Sequence, residues 1–151
     1  MMTSDYASFY LDGLYFGITA TEVLELNNNL DVTPVPKSPK TVRGIMNLRG
    51  QLVPAIDMYQ CLGLTKKTNK EETISIILQG DGFSVALLVD DVGPIIPLYE
   101  STFEHPPNNF SLVSRELVLG VHKLPERLII ILDPKGIANF VGVKKKQLQL
   151  S

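Results

Sequence analysis

Two apolar, aromatic-rich runs, Tyr6 to Leu11 and Leu14 to Ile18, are separated only by Asp12-Gly13. Both linking residues tolerate positive φ, so this spacing predicts a β-hairpin. Similar patterns follow. Thr73 to Leu78 and Phe83 to Val89 flank Gln79-Gly80-Asp81-Gly82, and Leu117 to Val121 and Leu128 to Leu132 flank a turn around Lys123-Leu124-Pro125-Glu126. Leu52 to Ile56 reads as a further strand. Val92 to Pro97 carries two prolines, which lack the amide proton a ladder needs, so it suits a sheet edge or a bulge.

Helix signals are few and short. Thr19-Ala20-Thr21-Glu22 has the capping-box spacing and predicts a single turn after Thr19. Ser38-Pro39 reads as an N-cap followed by proline at the first helical position, with Gly44 available to end the turn. Asp57 can cap a short helix over Met58 to Leu62 that stops at Gly63. Asp133-Pro134 repeats the cap-then-proline signal and starts a helix running to Phe140, before Gly142. Many short strands, frequent turns and four scraps of helix predict an all-β chain, a barrel or sandwich rather than a βαβ sheet. With 151 residues, 44% of them hydrophobic, the chain is about one domain long and can bury a real core. Two barrels of about five strands each would use the strands, and the polar stretch Thr65 to Glu72 is the best joint between them. The two halves show no sequence repeat.

Charge and motif content narrow the function. The net charge is −2, without the basic face that a nucleic-acid binder carries. The single basic cluster, Lys144, Lys145 and Lys146, reads as a solvated tail. Cys61 is the only cysteine, which excludes an internal disulfide framework and fits a reducing cytoplasm. The N-terminal residues lack a secretion signal. The longest aliphatic run, Leu128 to Leu132, is far below the ~20 residues of a membrane span, so membrane association is expected only through a partner. Neither a G-x-x-x-x-G-K-[ST] loop nor a G-x-G-x-x-G loop is present. His105 and His122, the two histidines, lack the i, i+4 partner of a helical zinc site. Asp90 and Asp91 are strand neighbours pointing to opposite faces and make a poor acid–base pair. Asp90 is instead either a turn-stabilising carboxylate or a partner contact.

The most informative stretch is residues 42–64, VRGIMNLRGQLVPAIDMYQCLGL. Gly44 and Gly50 bracket the short strand Ile45 to Leu48, and Arg49 sits at a turn between otherwise apolar strands. Its guanidinium must reach water or be paired, through loop carbonyls, a nearby carboxylate or a partner. This stretch closely resembles the signature of the CheW family, a G-I-x-N-L-R-G core followed by a strand, a proline, an aspartate and a short helix ending in Leu-Gly. The matching residues are Gly44, Ile45, Asn47, Leu48, Arg49, Gly50, Pro54, Asp57, Leu62 and Gly63. Phe16-Gly17-Ile18 with Glu22 to Leu26, Thr33 to Pro36 with Pro39, Leu87 to Val92, and Gly120 with Leu128 to Asp133 extend the resemblance in order over nearly the whole chain. One departure stands out. The family often has a second arginine just after the Asp-Leu pair, where this chain has Met58 and then Tyr59. The loop Glu104 to Asn109 is also particular to this chain.

The resemblance implies two SH3-like five-stranded barrels packed on a shared hydrophobic interface, with no catalytic activity, cofactor or metal. It implies a coupling adaptor, cytoplasmic and recruited to membrane receptor arrays by its partners. Those partners are the cytoplasmic tips of chemoreceptors and the regulatory domain of the histidine kinase CheA. The receptor-binding positions it implies are Val23, Glu25 and Arg49, together with Leu88 and Val89. Val23, Leu88 and Val89 are equally readable as core. Phe110 is implied as an aromatic at a contact in rings that alternate coupling proteins with kinase domains. Readings that compete are an adaptor of another chemosensory pathway, such as pili-based motility, a regulatory module competing with the coupler, and a small β-barrel enzyme using His105 or His122.

Overall fold

The structure, a computed structural model, describes residues 2–28, 30–66 and 71–142. Its eleven strands form two sheets. The first holds β1 (Thr3–Leu11), β2 (Leu14–Thr19), β8 (Asp91–Tyr99), β9 (Phe103–Glu104), β10 (Val118–Lys123) and β11 (Leu128–Leu132), in the order β8-β1-β2-β11-β10-β9. The second holds β3 (Val23–Asn27), β4 (Val42–Leu48), β5 (Gln51–Asp57), β6 (Ile74–Gly80) and β7 (Phe83–Val89), in the order β3-β6-β7-β5-β4. Among the described residues there are two α-helices, α1 (Met58–Leu62) and α2 (Pro134–Phe140). The first sheet thus draws on both ends of the sequence. The chain changes sheet through a 3-10 turn at Ala20–Glu22 and again at Asp90. The polar segment Thr65 to Glu72, read from sequence as the joint, connects β5 to β6 within one sheet, and its residues 67–70 lie outside the described residues. Lys144 to Lys146 also lie outside them.

The turn residues act as their chemistry requires. Asp12 and Gly13 have φ of 53° and 81°, and Arg49 and Gly50 have 52° and 85°. Two positive φ values in a two-residue loop are the sign of a type I′ turn, whose twist matches the flanking strands. The Asp57 carboxylate accepts from the Gln60 amide at 3.2 Å and so caps α1, which ends at Gly63 with φ 72°. β8, with its two prolines, is an edge strand. The helix signalled by Ser38-Pro39 does not form. The chain makes only a turn, closed by the Val42 amide on the Pro39 carbonyl at 2.9 Å, and enters β4. Gly44 is therefore a strand residue, not a stop. It lets Thr33 pair with Ile45, and a Cβ placed on it would lie 2.3 Å from the Thr33 oxygen. The first sheet has six strands rather than five because the two-residue β9 joins it.

Strand alternation sorts the apolar residues into three layers. Phe9, Phe16, Ile18, Ile130 and Leu132 of the first sheet meet Ile56, Ile76, Leu78, Val85, Leu87 and Val89 of the second, joined by Leu62 of α1 and Ile137 of α2. Behind this shared layer, Met46, Val53, Ala55, Ile77, Ala86 and Leu88 fill the concave side of the second sheet. Tyr15, Leu98, Ile129 and Ile131 fill that of the first. Strands β7 and β11 are covered on both faces, which explains their unbroken apolar runs.

Both sheets curl. Tyr6 on β1 and His122 on β10 are three strand spacings apart in ladder order, about 14 Å if the sheet were flat. Their ring centroids lie 6.0 Å apart. In the second sheet the turn between β4 and β5, at one edge, reaches Glu25 on β3, at the other, through an ion pair from Arg49.

The close approach at Gly44 gives a direct test of the signature glycine. Gly44→Ala is expected to lose about 1–3 kcal/mol of stability by forcing backbone apart, read as a lower urea midpoint. An unchanged midpoint would show that the Thr33–Ile45 bridge is dispensable.

Candidate docking site

The Arg49–Glu25 pair is built by two unrelated elements. Arg49 occupies the first turn position between β4 and β5, fixed by the Asn47 side-chain oxygen, which accepts from the Gly50 amide at 2.9 Å. Glu25 sits on edge strand β3, opposite Ile77. Residues directly opposite share a face, so Glu25 lies on the concave side of the sheet, where the Arg49 guanidinium donates to it. The arginine side chain is 76% exposed and the glutamate 26%. The pair is thus open to solvent on the arginine side.

Val23 and Leu26 stand opposite Leu78 and Ile76, both members of the shared layer, and so lie on the outer face of β3. Val23 is half-buried against that layer, whereas Leu26 is 52% exposed. A β-bulge between Val23 and Glu25 leaves Leu24 exposed as well. Edge strand β3 therefore offers two open leucines around the carboxylate that Arg49 holds. Sequence reasoning missed Leu24 and Leu26. The alternating Val-Leu-Glu-Leu run was their only signal, and nothing local marks β3 as an edge. Beside them, a polar pocket of about 130 Å³ opens between Asn27, Asp31, Thr33, Met46, Asn47 and Leu48.

Leu88 and Val89 do not belong to this surface. Both are fully buried, Val89 in the shared layer and Leu88 on the concave side of the second sheet. Adjacent residues of a central strand project to opposite faces, and here both faces are covered. Of the two readings open for them in sequence, the core reading holds. Phe110 lies elsewhere, half-buried against the shared core. It lines an apolar groove of about 350 Å³ with Leu112, Val121 and Leu128, rimmed by Glu104 and Lys123, which face each other at 3.5 Å.

The residue standing where the family has its second arginine has turned inward. The Tyr59 ring is 5% exposed, and its hydroxyl donates to Asp90 Oδ2 at 2.5 Å. The same oxygen accepts from the Asp12 amide at 2.8 Å, and the Asp90 carbonyl accepts from the Thr73 hydroxyl at 2.6 Å. Burial, and next the Asp90 carboxylate, push the phenol above its ordinary value, so it stays a donor. Asp90 is thus the turn-stabilising carboxylate. It pins the first hairpin, α1 and the start of β6 together.

A second network holds the segment before β6. Arg43 binds Asp57 at 3.1 Å and Glu72 at 2.8 Å, and Lys66 stands 3.5 Å from Glu72. Burial works against the Glu72 charge, but the Arg43 hydrogen bond, a backbone hydrogen bond and the charges of Arg43 and Lys66 together outweigh it and leave the carboxyl below its ordinary value. Cys61 is buried, and burial, with Asp57 and Glu116 behind it, pushes its thiol up to about 12. It is a small core residue rather than a nucleophile.

Among the described residues, no helix is long and apolar enough to cross a membrane, and no group of three or more His, Cys, Asp or Glu residues could hold a metal. Two curled sheets on one shared core, with an ion pair and open leucines on a free edge, have the build of a protein-docking module. A family model described as "CheW-like domain" matches residues 5–141, and the chain belongs to that family. It is 30% identical over 140 residues to a chemotaxis protein CheW of Thermotoga maritima, covering 91% of this chain and 89% of that one. It is 27% identical over 129 residues to a chemotaxis protein CheW of Bacillus subtilis, covering 85% and 83%. Among solved structures it resembles the scaffolding protein TtCheW of Thermoanaerobacter tengcongensis, with a TM-score of 0.79 and 30% identity over 87% of this chain and 90% of that one.

Arg49 carries a cost that its ion pair does not offset. A non-glycine residue in the left-handed region costs of order 1–3 kcal/mol, least for asparagine. An exposed ion pair returns about 0–1 kcal/mol. Arg49→Asn is therefore expected to leave the melting temperature unchanged or to raise it by a few degrees. A clear fall in thermal unfolding would mean that the ion pair is a principal support of the fold.

Proposed function

We propose that this chain is a non-enzymatic coupling adaptor of chemotaxis-type signalling, joining chemoreceptors to the histidine kinase CheA. The observation that carries the reading is Arg49. The family signature places an arginine at a left-handed turn position where asparagine or glycine would fold with less strain, and leaves it three-quarters exposed. Such a choice is explained by what the guanidinium does for a partner. Membership of the CheW-like family over residues 5–141 and relatives named as chemotaxis and scaffolding proteins support the same reading.

In this function the edge of the second sheet receives the helical cytoplasmic tip of a receptor. Val23, Leu24 and Leu26 supply apolar burial along one helix face. Glu25 and Arg49 fix its register and exclude partners of the wrong charge. The groove at Phe110 contacts the regulatory domain of the kinase. The adaptor works in the cytoplasm and reaches the membrane through the receptor. Its task is to hold two partners in fixed relation, for which it needs rigid faces and no reacting group.

The test is a binding measurement on purified components. Arg49→Glu reverses the charge at the turn and repels Glu25, and is expected to weaken capture of a receptor cytoplasmic fragment by at least about tenfold, roughly 1.4 kcal/mol. Binding of the kinase regulatory domain and the far-UV circular dichroism spectrum should persist. A folded Arg49→Glu chain that binds the receptor fragment as well as the parent does would refute this assignment.

A further inference from the structure

His122 is one of the few polar residues inside the first sheet. It is 2% exposed, on β10. Its Nδ1 lies 3.0 Å from the Thr102 hydroxyl. That hydroxyl has a single proton and gives it to the Tyr99 carbonyl, also at 3.0 Å. With its proton there, Thr102 accepts from His122 in the Nδ1–H tautomer, the assignment that satisfies both contacts. The lone pair then sits on Nε2, which is buried and has no hydrogen-bond partner. The ring is flanked by Tyr6, with centroids 6.0 Å apart, and by Phe103 at 5.5 Å.

The segment that His122 holds has few other ties: the Glu100 amide on the Met2 carbonyl at 3.2 Å, the exposed Ser4–Glu100 contact at 3.4 Å and the exposed Glu104–Lys123 pair. Strand β9 is two residues long and joins the sheet only through Val121–Glu104 and His122–Phe103. The turn Glu100–Thr102 ahead of it has no buried residue. Short ladders with little apolar cover open first.

We propose that His122 is a proton-operated latch on the β9 edge: a proton taken up at Nε2 opens the Glu100–Glu104 segment before the rest of the fold. The added N–H would have no acceptor, and no carboxylate among the described residues forms an ion pair with the ring. The groups that face the site are few. From β1 comes the Tyr6 phenol, raised by burial and then by Glu100, and it remains neutral. On the Phe103 side, the His105 ring stands perpendicular to Phe103 with centroids 5.6 Å apart, and Glu104 is turned toward Lys123. Burial alone holds the imidazole below its ordinary value. The folded chain thus binds this proton less readily than the unfolded chain does. The stability that the neutral ring contributes is complete above about pH 6.5 and is lost as pH falls below it. Because Glu104 rims the groove that Phe110 lines, opening the edge would remodel that groove and leave the β3 edge, on the other sheet, in place.

The experiment follows the ring and the edge together in the full chain carrying His105→Asn, which removes the other histidine. The His122 ring proton is titrated by NMR from pH 7.5 to 5.0. Amide exchange is read across the Phe103–Glu104 and Val121–His122 ladder, corrected for the intrinsic chemical rate. Protection there is expected to fall at least tenfold while β6 and β7 hold theirs, and the fall should vanish in His122→Gln. Should that variant not fold, the midpoints of ring titration and edge opening decide, and their coincidence supports the latch. A ring that protonates at or above the ordinary imidazole value with the ladder still protected would overturn the proposal. So would an opening that persists in His122→Gln.

Discussion

The layer of apolar side chains between the two sheets is the constraint from which the rest of the architecture follows. Neither sheet can stand alone, because each has an outer face of Phe, Ile, Leu and Val that water would otherwise cover. Each such side chain, fully buried, is worth about 1.5–3 kcal/mol. Pressing the two faces together hides both at once and ties the ends of the chain into the first sheet with the middle in the second. The helices are accessories to this layer: Leu62 of α1 and Ile137 of α2 plug its margins. A module held by its middle can leave its perimeter free, and the exposed leucines of β3 and the Arg49–Glu25 pair lie there.

That division of labour accounts for the strain at Arg49. A docking edge must keep an open strand without inviting indiscriminate pairing, and charges placed on an edge are one way to do so. Glu25 and Arg49 put opposite charges across the free margin of the second sheet. The pair spans the outer strands of the curled sheet where they approach each other. Surrounding packing over-determines the turn: Asn47 clamps Gly50, and Gly44 admits the 32–33 segment behind β4. The left-handed arginine is then tolerated where a looser hairpin would slip.

Much of this was legible in the sequence, and what was not failed for identifiable reasons. The Asp12-Gly13 turn, the Asp57 cap, the edge character of Val92 to Pro97 and the Asp133-Pro134 helix start all express local chemistry, and each appears where the residues place it. Sheet membership is not local. Nothing in Thr65 to Glu72 tells that β5 and β6 share a sheet, or that the chain leaves the first sheet at Ala20–Glu22. The Ser38-Pro39 signal lost to tertiary pairing between Thr33 and Ile45. Strand β9 is too short for any period to register. Leu88 and Val89 misled because an unbroken apolar run does not distinguish an open groove from a strand covered on both faces. The Glu25–Arg49 half of the site could be anticipated, since a charge at an apolar turn needs a partner. Leu24 and Leu26 could not, since their exposure depends on β3 ending a sheet.

Tyr59 shows how a family position can change its work without disturbing the scaffold. An arginine there would carry a charge that burial penalises, so it would have to reach outward to water or a partner. The tyrosine instead lies in the shared layer and spends its hydroxyl on Asp90, which already receives the Asp12 amide. The tyrosine is a strut between α1 and the first hairpin. Arg49 of the signature turn stays at the surface, paired with Glu25. The buried tyrosine thus adds nothing to the surface, where Leu24 and Leu26 of β3 stay exposed beside a polar pocket.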